Sequence, residues 1–118
     1  MNVNIWSDVR CPFCYIGKHK FEKALELFPN RGQIEVVWRS FELDPSLETN
    51  PEINSLEYFV ESKGVSRTRA EQMADHVTQA SLDTGIAFNF VDTVVANSFN
   101  AHRLIQFAKT RNLGGEVE

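Results

Sequence analysis

The only two cysteines of the chain stand three residues apart, where a strand-like apolar segment gives way to a helix-like one. Residues 3–6 form the short strand-like segment, and residues 15–28 carry a helical pattern. This arrangement puts Cys11 at a helix N-cap and Pro12 at the first helical position, where a missing N–H is tolerated. Free N–H groups and the helix dipole stabilise a thiolate at that end. We therefore expect a lowered pKa for Cys11, with Cys14 close enough to react with it.

A Cys-x-x-Cys pair is compatible with three kinds of chemistry. In a redox pair, Cys11 attacks a disulfide and Cys14 resolves the mixed disulfide. In a zinc site the pair needs further ligands, and the candidates His19, His76 and His102 do not have the local spacing of structural zinc sites. Inert packing is the third option, but buried cysteines rarely flank a proline at a helix N-cap. The spacing favours a redox pair that needs no metal and no organic cofactor.

Composition and charge limit the partners that such a chain can have. Its 118 residues suit a single domain, and a formal net charge of −4 provides no basic stripe for nucleic acid or anionic lipid. No apolar run reaches the ~18 residues of a membrane span, and no signal-like segment follows Met1. We therefore expect a cytoplasmic protein. Because cytosolic thiols are kept reduced, the cysteines are expected to cycle or to bind a metal rather than to form a permanent disulfide.

The first part of the chain has the pattern of a βαβ unit. Residues 2–6 predict a strand, residues 12–28 predict an amphipathic helix, and residues 33–41 predict a second strand rich in β-branched and aromatic side chains. A strand, a crossover helix and a strand are expected to give a parallel pair.

Helical patterns dominate the remainder. Asn50 is expected to cap a helix that ends at Gly64, and Ser66 a helix that ends near Gly85. Residues 88–90 alternate in a short extended stretch, and Asn97 is expected to open a last helix. Two strands make a marginal sheet in water, so we expect further strands outside this chain, or self-association into a homo-oligomer.

Three segments in the same order resemble the DsbA family of thioredoxin-fold oxidoreductases, within it the cytoplasmic FrnE-like branch. They are residues 7–18 (SDVRCPFCYIGK), residues 38–45 (WRSFELDP) and residues 97–104 (NSFNAHRL). The resemblance implies an α/β, thioredoxin-like fold with an inserted helical domain. It also implies thiol–disulfide exchange with disulfide-containing proteins or small thiols, in which Cys11 attacks and Cys14 resolves.

Two departures from the family pattern affect these expectations. DsbA itself has a histidine where this chain has Phe13, so the thiolate is expected to be less stabilised here. Family members also continue after the helical insertion to a cis-proline, two strands and a helix, whereas no proline follows Pro51. We therefore expect the chain to be the N-terminal half of such a protein. Residues 1–48 are then a thioredoxin-like βαβ unit, residues 49–118 are the helical insertion, and the C-terminal thioredoxin half is absent.

Other side chains are expected to support the dithiol. Pro12 and Phe13 lie between the cysteines, and Phe13 is expected to give an apolar rim for substrates, whereas Trp6 is expected in the core. A carboxylate such as Asp8 close to the dithiol raises a thiol pKa unless it is solvated. We interpret His102, beside an apolar helix face, as a hydrogen-bonded structural histidine rather than a catalytic one.

Overall fold

Two strands and five α-helices make up the protein in a computed structural model that describes residues 1–118. In chain order they are β1 (Asn2–Ser7), α1 (Pro12–Leu27), β2 (Glu35–Ser40), α2 (Ser55–Lys63), α3 (Arg67–Ser81), α4 (Phe99–Lys109) and α5 (Gly114–Val117). Short 3-10 turns at Arg31–Gln33 and Leu82–Thr84 follow α1 and α3. The chain divides into two units, one of Met1–Pro45 with Ser98–Glu118 and one of Ser46–Asn97. None of the helices is long and apolar enough to span a bilayer.

The first unit contains the predicted βαβ arrangement. β1 and β2 are parallel, with Asn2 opposite Glu35 at one end and Ser7 opposite Ser40 at the other. Successive residues of β1 alternate between exposed and half-buried positions, as a strand with one covered face requires. The mixed α/β interpretation is therefore confirmed.

Helix α1 packs against this sheet through its apolar residues. Ile16 is buried, and the ring of Phe21 meets that of Trp38 edge to face, with the centroids 6.3 Å apart. Trp6, expected in the core, is instead 59% exposed. Side chains alternate between the two faces of a strand, and Trp6 falls on the same exposed face of β1 as Asn4.

Helix α4 belongs to the first unit, although the sequence predicted it as part of the helical segment 49–118. Its buried residues recur every third position: His102, Ile105 and Ala108. On the same helix, Lys109 Nζ donates to the carbonyl oxygen of Trp38 over 2.5 Å. The expected division at residue 48 lies near the observed one after Pro45, but residues 98–118 pack with the βαβ unit because this stripe of α4 is buried there.

Residues 114–117, for which the sequence predicted no element, form the short helix α5. Gly114 allows α5 to approach α4, because a Cβ at this position would lie 2.5 Å from Lys109 Cγ. Glu118 and Lys18 form an ion pair of 3.8 Å whose side chains are both only 11% exposed. This pair fixes the chain end to α1.

In the second unit, α2 and α3 pack together and start at polar caps. Ser66 caps α3 as predicted, accepting from the N–H of Arg69 over 3.2 Å. The cap of α2 is Asn54 and not Asn50, so that prediction was wrong. Asn54 accepts from the N–H of Glu57, and the Glu57 carboxylate accepts from the N–H of Asn54. Of the two asparagines, only Asn54 has a glutamate three residues later that completes this reciprocal capping box.

Residues 88–90, predicted as a short extended stretch, lie outside the helices and strands, and the Phe88 and Phe90 rings stack with centroids 5.5 Å apart. The N-cap of α4 is Ser98, one residue after the predicted Asn97, whose side-chain amide instead donates to the carbonyl oxygen of Leu47.

Candidate active site

Cys11 occupies the N-cap of α1, as the sequence predicted. Its backbone is extended (φ −94°, ψ 107°), and Pro12 follows at the first helical position. The N–H of Cys14 points back to the cap, 3.3 Å from Cys11 Sγ and 3.0 Å from Cys11 O. Both cysteines are free thiols and half-buried. One turn of helix therefore brings both predicted cysteines together.

The electrostatics at Cys11 differ from the expectation of a lowered pKa. Burial of the thiol and the neighbouring Cys14 thiol raise its pKa, whereas the backbone N–H groups of Cys14 and Phe13 lower it. The net pKa of Cys11 is raised, because partial removal from water disfavours the thiolate more than these N–H groups stabilise it. No Asp, Glu, His, Lys or Arg side chain is among the causes of the shift.

Pro12 and Phe13 lie between the cysteines and differ in exposure. Pro12 is half-buried, and the ring of Phe13 is 51% exposed. The side chain of Phe13 is therefore available for contact with another molecule, and its backbone N–H stabilises the Cys11 thiolate. Tyr15, one residue beyond the dithiol, is also 43% exposed and meets His19 edge to face.

Asp8 is the buried acid of this region. It is 2% exposed, and its backbone carbonyl accepts from the N–H of Cys11 over 3.0 Å. Its Oδ1 accepts from the N–H of Arg10 over 3.3 Å, and its Oδ2 accepts from the N–H of Leu43 over 2.8 Å. Burial alone would raise the pKa of Asp8. The N–H groups of Leu43 and Arg10, the nearby Ser98 hydroxyl and His102 outweigh burial and lower it, so the carboxylate is ionised at neutral pH.

His102 reaches Asp8 from helix α4. Its Nε2 lies 3.1 Å from Asp8 Oδ1, and both side chains are buried. Because an ionised carboxylate can only accept, Nε2 carries the hydrogen of this bond. The ring's Nδ1 is buried without a hydrogen-bond partner. The interpretation of His102 as a hydrogen-bonded histidine agrees with this geometry.

The contact between Asp8 and His102 was not among the contacts predicted from the sequence. A signal for the contact was present, since His102 lies in the same three-residue repeat as the buried Ile105 and Ala108. A polar residue in a buried stripe needs a polar partner.

Ser98 adds a hydroxyl beside Asp8, but it is 3% exposed and gives no nucleophile accessible to solvent.

A groove of about 410 Å³ lies in the first unit, between the end of β2 and helix α4. It is lined by Ser40, Phe41, Glu42, Phe99, His102, Arg103 and Gln106. Two exposed aromatic rings, an acid and a base line the groove, so its surface is amphipathic.

The structure gathers no group of three or more His, Cys, Asp or Glu side chains with metal-ligand geometry. Of the histidines considered as zinc ligands, His102 is hydrogen-bonded to Asp8, His19 contacts Tyr15, and His76 lies on α3 in the other unit.

Comparisons with known proteins agree with this fold. The chain is similar to the crystal structure of the probable DsbA oxidoreductase SCO1869 from Streptomyces coelicolor, with 38% sequence identity and a TM-score of 0.87. The match covers 98% of this chain and 49% of that one. A Bacillus subtilis (strain 168) protein, "Uncharacterized protein YwbO", is 41% identical over 46 residues, 39% of this chain and 21% of YwbO. Residues 2–117 match the family model described as DSBA-like thioredoxin domain, and the chain belongs to that family.

Proposed function

We propose that this chain carries out thiol–disulfide exchange, with Cys11 as the attacking cysteine and Cys14 as the resolving cysteine. The observation that carries the proposal is the N-cap of α1, where Cys11 Sγ accepts from the N–H of Cys14 over 3.3 Å. Membership of the DSBA-like family and the likeness to a probable DsbA oxidoreductase support the same class of reaction. Since the chain spans about half of that relative, its activity and substrates are our inference.

The exchange proceeds in two displacements. Cys11 loses its proton, and its thiolate attacks one sulfur of a substrate disulfide. The Cys11–substrate bond forms as the substrate's S–S bond breaks, and the departing sulfur takes up a proton. The Cys14 thiolate then attacks Cys11 Sγ and releases the substrate as a dithiol. The substrate gains two electrons, and Cys11 and Cys14 end as a disulfide that a small thiol such as glutathione can reduce.

The substrates that we propose are disulfide-containing proteins and small thiols or disulfides. The exposed ring of Phe13 beside the dithiol offers an apolar contact to a peptide. The FrnE-like branch and a cytoplasmic location stay predictions from the sequence. Cell fractionation with a tagged chain in its native host would test the location.

Equilibration in glutathione buffers tests the proposed function. The protein is held at a series of glutathione to glutathione-disulfide ratios, free thiols are trapped with a maleimide, and oxidation is scored by mass. We expect a reversible two-electron transition in the wild type. Cys11→Ser and Cys14→Ser should abolish it, whereas Ala87→Ser, which introduces a serine at an exposed position of the other unit, should keep it. Two thiols that stay free in strongly oxidising buffer would refute the proposal.

A zinc-binding or redox-sensing interaction module is the alternative that the sequence left open. Zinc would need ligands beyond Cys11 and Cys14. Metal analysis of protein purified without chelator distinguishes the two functions. Stoichiometric zinc that is lost in Cys11→Ser would support the alternative, and metal-free protein with intact exchange would support the oxidoreductase.

A further inference from the structure

Asp8 connects the turn that carries Cys11 to two other parts of the first unit. Within the turn, its carbonyl accepts from the N–H of Cys11, and its Oδ1 accepts from the N–H of Arg10. Outside the turn, its Oδ2 accepts from the N–H of Leu43, which follows β2. His102 of α4 completes the set with its Nε2, 3.1 Å from Oδ1. One carboxylate thus holds the residues before Cys11 against both neighbouring segments.

Both side chains of this pair are removed from solvent. The side chain of Asp8 is 1% exposed and that of His102 is 8% exposed. A buried carboxylate is stable only when its oxygens are hydrogen-bonded, so each of these donors is needed to hold the charge in place. Arg10 and Leu43 donate from the backbone, whereas His102 donates from its side chain and can be replaced without altering the backbone.

We infer that Asp8 and His102 are positioning residues for the Cys11–Cys14 dithiol. They touch neither substrate nor the reacting sulfurs, and they act by fixing the turn of residues 8–11. That turn sets the extended backbone of Cys11, which in turn directs its Sγ toward the N–H of Cys14. Loss of the contact between Asp8 and His102 loosens the turn and weakens this N–H contact to the thiolate.

This inference rests on the proposed exchange activity and concerns the equilibrium between the dithiol and the disulfide. The N–H contact stabilises the thiolate of the reduced form, so at a pH where Cys11 is ionised its weakening favours the disulfide form. The equilibrium with glutathione reports this change directly. A role for His102 in folding alone would lower the stability of the chain and leave this equilibrium where it is.

The test compares three histidine variants in the glutathione titration. His102→Leu fills a similar volume without a donor. His102→Gln keeps an N–H donor near the position of Nε2. His76→Leu makes the same chemical change at an exposed position of α3. The titration is run at a pH above the midpoint of Cys11 alkylation, where the thiolate is populated. There we expect the equilibrium constant of His102→Leu to shift about tenfold toward the disulfide, which corresponds to about 30 mV for a two-electron couple. His102→Gln and His76→Leu should stay near the wild type.

The outcomes separate this inference from the proposed function. A wild type without a redox transition would refute the proposed function, and this inference with it. A normal wild-type transition with an unshifted, folded His102→Leu would refute the positioning role alone. Circular dichroism establishes folding in each case. Should His102→Leu not fold, His102→Asn, whose shorter amide stops short of Asp8, replaces it. If His102→Asn also fails to fold, the positioning role is refuted. It is also refuted if the redox equilibrium of His102→Gln shifts as far as that of His102→Leu.

Discussion

The N–H of Cys14 lies 3.3 Å from the Sγ of Cys11, so the backbone of one cysteine contacts the sulfur of the other. This contact is the one by which a free N–H group at the helix N-terminus was predicted to stabilise the thiolate. It is opposed by burial and by the Cys14 thiol, and the balance leaves the pKa of Cys11 raised. The thiolate of Cys11 is therefore not strongly favoured at neutral pH.

The variants Cys14→Ser and Cys11→Ser are expected to differ in how much mixed disulfide they form. With Cys14→Ser, attack by Cys11 on a glutathione-capped peptide should stop at the mixed disulfide, because no second thiol resolves it. With Cys11→Ser, little mixed disulfide should form, since Cys14 lies within the helix and not at its cap. Intact-mass spectrometry after acid quenching measures both adducts. Equal adduct yields from the two variants would contradict the assignment of roles.

The alkylation rate of Cys11 should depend on pH in a way that follows its raised pKa. Only the thiolate reacts, so at neutral pH Cys11 should react with iodoacetamide more slowly than an unstructured cysteine of the same intrinsic reactivity. Its rate should rise with pH through a midpoint above that of an unperturbed thiol, because burial disfavours the charged form. The measurement follows alkylation of Cys11 in the wild type by peptide mass spectrometry, since replacing Cys14 would remove a group that raises the pKa of Cys11, and a denatured sample is the reference. A midpoint below that of the denatured sample would contradict this expectation.

Asp8 should make the fold sensitive to acid. Its pKa is lowered in the folded state, so its stabilisation is fully present well above the unfolded value of ~3.9 and is lost as the pH falls through the folded pKa. Asp8→Asn should cost on the order of 2–3 kcal/mol at neutral pH, because a hydrogen-bonded buried charge is lost. It should also flatten the dependence of the unfolding free energy on pH in this acid range.

Urea unfolding monitored by circular dichroism between neutral and acid pH measures both effects of Asp8→Asn. Asp75→Asn, the same change at an exposed position of α3, is the matched control and should keep the wild-type dependence. If the unfolding free energy of Asp8→Asn depended on pH as steeply as that of the wild type, another acid would be responsible for the sensitivity to acid.

Local features of the site could be predicted from the sequence, and the contact behind it could not. The N-cap of α1 depends on adjacent residues: a proline at the first helical position and the helical pattern after it. Asp8 and His102 are separated by 94 positions, and their contact requires α4 to pack with the βαβ unit. Helical periodicity shows which face of α4 is apolar but not which element covers it. The net pKa of Cys11 also depends on burial, which local residues do not determine.

The cap of α2 shows how a local rule can select the wrong residue. Asn50 precedes a proline, which favoured it as the cap, whereas Asn54 has a glutamate three residues later and forms the reciprocal pair. Asn54→Ala should therefore destabilise the protein by about 1 kcal/mol, since it removes the acceptor for the N–H of Glu57. Asn50→Ala is the comparison and should cost less, because its side chain accepts only from the nearby N–H of Glu52. Thermal or urea unfolding ranks the two variants, and the reverse order would contradict the observed cap.

The edges of the two-stranded sheet are expected to promote self-association. With only β1 and β2 in the sheet, each strand has one edge without a neighbouring strand, and such edges favour pairing with another chain. Trp6 near the end of β1 and Phe41 just after β2 are also more than half exposed, which adds apolar surface to the same unit. We therefore expect this 118-residue chain to self-associate at micromolar concentration.

Analytical ultracentrifugation of the pure, mass-verified chain measures this association. Trp6→Lys should weaken it, because the change removes an exposed apolar ring and places on an edge strand a charge that is costly to bury between paired strands. Val91→Lys introduces the same charge at a residue that is 66% exposed in the other unit, and should leave the association unchanged. A monodisperse, cooperatively folding monomer would contradict the prediction. It would mean that α1 and α4 protect a two-stranded sheet sufficiently without any partner at its edges.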